Sequence, residues 1–530
     1  MDKRIVKLSK LLIEKRYQIL LGIIATNMAM TVGRAFADPS GASILANDPL
    51  GKVSLATNMA WVLASSALIW FMQLGFAFLG AGLLRTKSQV NYWSKSYIDF
   101  SIGVVIFALV GFGLMFGGSG ATFPAGIDSS GNVVYIPIPG IGLGNSLIGF
   151  SGFGLAGDAY DPLTLVYFFF QAVFAATAVT IVAGMVAERM KFQAYLLYTV
   201  LINILIYPVY GHWIWGGGWL ATLPFGVGAR DFAGSGAVHA VGGFTGLAGA
   251  LLLGARIGKF NKDGTPNPMP AHNIPYCIAG TFILFFGWFG FNPGSTLGTI
   301  DYRTATVAVN TFLAGGAGAS VLAYWTYFEQ KNWKGKVSDP IAISTGALGG
   351  LVAITAPAAY VAPWAAIIIG ITGGLIAVYG NFFVERKLKI DDPVGAFGVH
   401  GAAGLFGLLA VGLFADGTYG GVKGVFLFGE GAVGQLIAQL IDIGVVAGFS
   451  FGMGLLIFGV IKKTIGLRVS AEVELEGIDK HEHGYVAYPE TPLIRAEIKE
   501  VLELEKEALA SENAAVKVVH PSRPKEPLER

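Results

Sequence analysis

The chain of 530 residues has one cysteine, Cys277. That excludes an internal disulfide, a CxxC redox pair and any zinc site built on cysteines. Charge is scarce too: Asp, Glu, Lys and Arg make up 13% of the residues, against about 25% in an ordinary soluble domain. The charges nearly cancel, to a net +2, so there is no basic footprint for nucleic acid and none is expected as a partner. What replaces charge is apolar surface, with 54% hydrophobic residues, and glycine, with 75 residues, about twice the usual share of roughly 7%. This composition describes an all-α integral membrane protein whose helices approach one another through small residues, with the lipid bilayer as its surroundings.

Eleven hydrophobic spans follow, near 55–84, 97–116, 163–187, 194–215, 232–256, 272–292, 304–326, 338–358, 361–384, 395–415 and 430–461. Each is long enough to cross roughly 30 Å of hydrocarbon. Basic residues fall in alternate connections: Arg85, Lys87 and Lys95; Arg189 and Lys191; Arg256, Lys259 and Lys262; Lys331, Lys334 and Lys336; Arg386, Lys387 and Lys389; and Lys462, Lys463 and Arg468. The intervening connections hold only Arg230, Arg303 and Lys423, and the long loop 117–162 holds none. Positive residues mark the cytoplasmic side, so the first span enters from outside and the C-terminus is cytoplasmic. A multi-pass protein of the cell membrane is expected.

One polar device occurs twice in this apolar chain. Asp231 to Gly243 reads DFAGSGAVHAVGG and Asp392 to Gly404 reads DPVGAFGVHGAAG. In both, a Val-His pair places histidine eight residues after an aspartate, and a long apolar run follows. A charged group at that depth costs roughly 2.5 to 3.5 kcal/mol, so His239 and His400 are expected to face the protein interior or a path through it. A lone histidine would read as a core residue bonded to a carbonyl; the repetition favours a functional pair. The motif falls in the fifth and the tenth span. That implies two five-helix halves of opposite orientation, about 53–256 and 272–415, and a closing helix at 430–461. Inverted halves place a pathway at their interface.

Three stretches gather aromatic residues at span ends: Gln171 to Ala176 around Phe174, Gly211 to Gly218 around Trp215, and Trp288 to Ser295 around Phe291. For Trp213 and Trp219 the interfacial aromatic belt and a place in a site are equally open readings. Trp215 is followed by three glycines whose lack of bulk would let its ring face an opening, where it could attract a cation by roughly 2 kcal/mol. Asp231 and Asp392 precede their spans and read as N-caps; Asp231, on the outer side, could also favour cation entry. His212, His272, His481, His483 and His520 lie in loops or at span ends and read as structural or solvated. A haem or metal enzyme would want further ligands at the depth of the paired histidines, so no cofactor, no metal and no enzymatic reaction are expected.

Together AERMKF, GHWIWGGGWL, ARDFAGSGAVHAVGG, WFGFNPGS, DDPVGAFGVHGAAG and GLRVSAEVELEGIDKHEHGYVAY closely resemble the ammonium transporter (Amt/Rh) family, on its Amt side, over about residues 53 to 488. The resemblance implies a homotrimer with one pore per subunit, carrying ammonium or ammonia and methylammonium. It implies that Trp215 and Ser295 form an outer recruitment site, with Phe174 and Phe291 as a stacked ring gate below it. Trp288 would line the pore, Asp231 would support the entry site, and His239 with His400 would be the paired imidazoles in the lumen. A PII-type signalling protein at the cytoplasmic face becomes an expected partner. Departures from the family pattern are the long loop 117–162, Pro293, Gly395 and Tyr485; none touches the ring gate or the histidines. An ammonium sensor, or a neutral-gas channel of the Rh kind, is the alternative.

Both ends of the chain differ from its middle. Residues 1–37 pair a basic stretch with an apolar one and end in Ala35-Phe36-Ala37, which reads as a signal peptide, with a retained extra helix as the alternative. The tail 466–530 is hydrophilic and cytoplasmic by the charge rule. Residues 466–490 read as a regulatory arm and 491–530 as a solvated helix.

Overall fold

The computed structural model describes residues 49–128, 132–329, 338–427, 429–489 and residue 503. The segment 1–37, the loop lysines Lys331, Lys334 and Lys336, the proposed helix over 491–530 and His520 lie outside the described residues, apart from residue 503.

Eleven apolar helices carry the fold among the described residues. They are α1 (Pro49–Leu83), α2 (Thr86–Phe116), α3 (Pro162–Met185), α4 (Phe192–Ile214), α5 (Ser235–Leu253), α6 (Ile274–Phe291), α7 (Arg303–Glu329), α8 (Pro340–Thr355), α9 (Pro363–Phe382), α10 (Phe397–Phe414) and α11 (Ala432–Thr464). Ten are long and apolar enough to span a membrane, and α8 is a shorter apolar helix. Asp339 accepts hydrogen bonds from the Ile341 and Ala342 amides to start α8, and Pro357 follows its end. Two short helices, α12 (Ala471–Glu476) and α13 (Ile478–His483), lie in the tail.

α2 begins about eleven residues earlier than the apolar run at 97 suggests. Its first turns hold Asn91, Lys95 and Ser96, yet all three are buried. The cause is distant in sequence: both carboxylate oxygens of Asp479, in α13, accept from the Val90 and Asn91 amides at 2.9 and 2.8 Å. The α-helical part of α2 begins at Gln89, after a 3-10 turn over Thr86–Ser88, so these are donors that a helix start otherwise leaves unsatisfied. Glu474 of α12 accepts from the Ile257 amide at 2.7 Å, and Glu482 accepts from the Phe192 amide at 3.0 Å. The residues after α11 therefore strap the connections before α2, α4 and α6.

The loop 117–162 contains an antiparallel hairpin, β1 (Thr122–Ile127) with β2 (Val133–Pro137), which the hydropathy pattern did not foretell. It is held down by the Asn58 amide, which donates to the Pro124 carbonyl at 2.8 Å, and by fully buried Phe123.

The halves meet where α5 and α10 cross. A Cβ on Gly243 would lie 2.5 Å from the Gly401 nitrogen, and one on Gly404 would lie 2.5 Å from the Ser235 carbonyl. No other residue admits backbones that close. His239 and His400 each sit in a π-helical turn at the start of their helix, over Ser235–Ala240 and Phe397–Ala402. A turn with one extra residue per repeat reorients the side chains it carries, and such turns concentrate at functional sites.

Candidate functional site

Asp231 organises the end of the site near Trp215. Its Oδ1 accepts from the Gly234 and Ser235 amides and its Oδ2 from the Gly236 and Ala237 amides, each at 2.9 Å. These are free amides at the start of α5, so the capping geometry expected from the sequence is present. The carboxylate is spent on backbone, and what reaches Trp215 is the Asp231 main-chain carbonyl, which accepts from the indole Nε1 at 2.6 Å. The glycines after Trp215 serve close packing rather than an opening: a Cβ on Gly216 would lie 2.1 Å from the Met115 carbonyl oxygen.

The Trp215 ring meets the Phe174 ring edge-on, with centroids 5.9 Å apart, and lines a cavity of about 150 Å³ with Phe174, Ser295, Tyr167, Phe170, Gln171, Phe232 and Leu297. The Ser295 hydroxyl donates to the Phe291 carbonyl at 2.8 Å. Its proton is committed, and its lone pairs remain. Phe174, in the cavity wall, packs on Phe291, with ring centroids 4.2 Å apart and tilted by 37°. Both rings are buried, at 1% and 0% exposure.

Below that pair lies a stack. The His239 ring is nearly parallel to Phe291 at 5.4 Å, to Trp288 at 5.3 Å and to His400 at 5.2 Å. Trp288 is fixed by its Nε1, which donates to the Thr355 hydroxyl at 3.0 Å. His239 Nδ1 and His400 Nδ1 are 3.1 Å apart. One of the two must donate and the other accept, so the neutral rings hold opposite tautomers and share a single proton between these atoms. Nε2 of His239 is buried with no partner among the described residues. His400 then lines a second, smaller cavity of about 40 Å³ with Phe76, Thr180 and Cys277 among its walls. Neither cavity is lined by a charged side chain.

Asp392 lies at the other end. Its Oδ2 accepts from the Phe397 amide at 2.8 Å, and Oδ1 from the Val394 amide at 3.4 Å. Beside it is a buried charged cluster. Arg256 holds Asp391 through Nε at 2.8 Å and Nη2 at 2.9 Å, and reaches Glu188 through Nη1 at 3.0 Å; Glu188 also holds Arg85. Burial pushes the Asp391 carboxyl up, but the Arg189 and Arg256 guanidiniums more than offset that and hold it at about 2.

The structure thus brings Trp215, Ser295, Phe174, Phe291, Trp288, His239 and His400 into one file, and leaves the Asp231 and Asp392 carboxylates on the backbone of α5 and α10. His212 is buried, with Nδ1 at 2.7 Å from the Met115 carbonyl and Nε2 at 2.6 Å from the Asn145 carbonyl. Sequence reasoning missed Phe170, Gln171 and Tyr167. Their signal was a glutamine beside a run of phenylalanines in the otherwise apolar α3.

Two inverted halves of apolar helices around a narrow, uncharged, ring-lined file define a helical membrane transport protein. Residues 60–488 match the model of the Ammonium Transporter Family, and the chain belongs to that family. Among its relatives, ammonium transporter Amt2 of Archaeoglobus fulgidus is 44% identical over 470 residues, covering 87% of this chain and 93% of that one. Ammonium transporter Amt1 of Haloferax mediterranei is 37% identical over 454 residues, covering 83% and 80%. Among solved structures, a chain described as a Sensor Amt Protein superposes with a TM-score of 0.70 at 35% identity, covering 82% of this chain and 99% of that one. Mep2 of Candida albicans does so with a TM-score of 0.67 at 25% identity, covering 84% and 94%.

Proposed function

We propose that this chain takes up ammonium from the outer face, strips its proton and conducts ammonia and the proton inward separately. The observation that carries this reading is the uninterrupted file from Trp215 through the Phe174 and Phe291 rings to the paired imidazoles, with no charged side chain lining the cavities at its two ends. Ammonium and potassium are cations of similar size, so a sieve does not separate them. Only ammonium can lose its proton, at a cost of roughly 3 kcal/mol for a pKa about two units above neutral. Carrying a bare charge through an apolar file costs at least as much. A dry path therefore selects the ion that sheds its charge.

In this reading Trp215 and Ser295 hold ammonium, the Phe174 and Phe291 rings shut out water, and Asp231 anchors the indole. The shared Nδ1 proton lets His239 and His400 pass hydrogen bonds along the lumen without a permanent buried charge. The protein works as a homotrimer in the cell membrane with its C-terminus in the cytoplasm, and α12 and α13 form an arm that a PII-type protein could engage.

The test is current across a solid-supported membrane carrying the purified protein, on concentration jumps of ammonium, methylammonium and potassium. Inward positive current for the first two and none for potassium is expected. Unchanged ammonium current and potassium exclusion in both His239→Ala and His400→Ala would refute the role of the pair. One observation favours a second reading, that the chain senses ammonium: a structural relative is described as a Sensor Amt Protein. Silence to all three ions with ammonium binding intact would favour it.

A further inference from the structure

Two ionisable side chains lie buried in α2 and take no part in the file of rings. Asp99 and Lys95 are one turn apart on the same face of that helix, and both are 0% exposed. One oxygen of Asp99 accepts from the Tyr195 hydroxyl of α4 at 2.5 Å, and the other has no hydrogen-bond partner among the described residues. Ionisable groups inside a membrane span are costly, and they mark ion paths and proton relays.

The ends of this cluster look to different places. Thr180 and Tyr92 are wall residues of the small cavity under His400, as are Ser344 and Thr345 of α8. The Tyr92 hydroxyl is committed to the Phe76 carbonyl at 3.3 Å. Thr180 of α3 stands beside the Asp99 carboxylate, and its hydroxyl makes no settled hydrogen bond. A threonine in a helix populates two rotamers, so this hydroxyl can alternate between the carboxylate and the cavity it borders. At the other end, Lys95 Nζ donates to the Met190 carbonyl at 3.0 Å, in the connection strapped by the residues after α11. Its charge is in reach of Arg189 and of Asp479, Glu482 and His483 in α13, of which the last two are partly exposed. The groups that face Asp99 itself are Lys95 and Tyr92 of α2, Thr180 of α3, and Tyr195 and Tyr198 of α4.

We propose that Asp99 is a proton-relay residue, which takes the proton released below the paired imidazoles and passes it by way of Lys95 to water at α13. The proposal rests on the reading that ammonia and its proton cross separately. Thr180 gives its own hydroxyl proton to Asp99 and takes the incoming one from the cavity, so it ends unchanged. Asp99 gains one proton, becomes a carboxylic acid, and loses that proton again in each cycle. The Lys95 ammonium balances the carboxylate between cycles. Neutral ammonia has no need of this branch and continues through the apolar lumen.

The experiment measures ammonium current across a solid-supported membrane carrying the full chain, for the parent, Asp99→Asn, Asp99→Glu and Thr180→Val, with a melting curve for each. Asp99→Asn keeps the size and an oxygen for the Tyr195 hydroxyl but carries no proton. Its saturating current is expected to fall at least about tenfold, a modest share of what positioned proton transfer contributes. The half-saturating ammonium concentration should stay within about twofold, because capture lies at the Trp215 end. Asp99→Glu, which restores an acid, should return most of the current. Thr180→Val keeps the shape without the hydroxyl and should lower the current several-fold; it decides the question where Asp99→Asn fails to fold. Parental current in Asp99→Asn, or in Thr180→Val where the former does not fold, would overturn the proposal. So would equal losses in Asp99→Asn and Asp99→Glu, the mark of a packing role. A parent that carries no ammonium current would overturn the reading of separate transport, and the relay with it.

Discussion

Replacing Arg256 with methionine strikes the most heavily charged buried point of the structure. The guanidinium side chain is 4% exposed and both carboxylates it holds are fully buried. Methionine removes the bonds to both oxygens of Asp391 and the bond to Glu188. Glu188 keeps Arg85, which reaches it with its backbone amide at 2.6 Å and its Nε at 2.7 Å. Asp391 keeps only the amide of residue 256 and the nearby charge of Arg189. Breaking a buried pair on one side costs about 3 to 5 kcal/mol, whereas removing both partners can be nearly neutral. Arg256→Met should therefore be the least stable variant, and Arg256→Met with Asp391→Leu should recover at least about 2 kcal/mol of the loss. The assay is unfolding of the purified protein in one detergent, followed by tryptophan fluorescence. Acid adds an independent arm. The Asp391 carboxyl is held below its ordinary value, so its stabilisation is complete above about pH 4 and is lost as pH falls from there through about 2. Without Arg256 the carboxyl is held down less against its burial, so this acid-induced loss should shrink. An Arg256→Met protein within about 0.5 kcal/mol of the parent, or a double variant whose loss is the sum of the singles, would refute the account.

Cys277, the sole cysteine, is buried at 1% exposure against the cavity of about 40 Å³ under His400, so a bulky membrane-impermeant thiol reagent should leave the ammonium current unchanged, and labelling of the thiol should appear only when the protein is unfolded. Asp479→Ala should uncover the Val90 and Asn91 amides at a cost of about 1 kcal/mol, the usual value of a helix cap; hydrogen exchange at residues 90 and 91 should then quicken several-fold, while exchange in α5 stays unchanged. Phe291→Ala removes the ring that contacts both Phe174 and His239 and should lower ammonium current at least tenfold, measured beside a melting curve that separates lost transport from lost folding.

The helices were legible because bilayer thickness and hydropathy dictate them almost residue by residue. Where the reading slipped, the deciding contacts were remote in sequence. Nothing local places Gln89 to Ser96 in a buried helix; Asp479, nearly four hundred residues later, does so by capping its amides. The hairpin over Thr122–Ile127 and Val133–Pro137 was hidden for a similar reason, since its anchor, Asn58, belongs to α1. The site was legible where it repeats or is aromatic, as with His239, His400 and Trp215. Gln171 stayed hidden because one amide in an apolar helix is ordinary until its cavity is seen.

The repeat also conceals an asymmetry. The two Asp-x7-His frames look alike as strings, yet Asp231 accepts four amides at 2.9 Å, whereas Asp392 has one amide bond at 2.8 Å and another at 3.4 Å. The Asp231 frame carries a second task, since the Asp231 carbonyl fixes the Trp215 ring. A rigid N-terminus for α5 therefore fixes the Trp215 ring and the first imidazole in one piece. The Asp392 frame has no such ring to hold, and its neighbour Asp391 locks the surrounding connections through Arg256 instead. The two frames bring the imidazoles together, and the differing use of the two aspartates leaves the Trp215 end of the file tightly set and the His400 end separately braced.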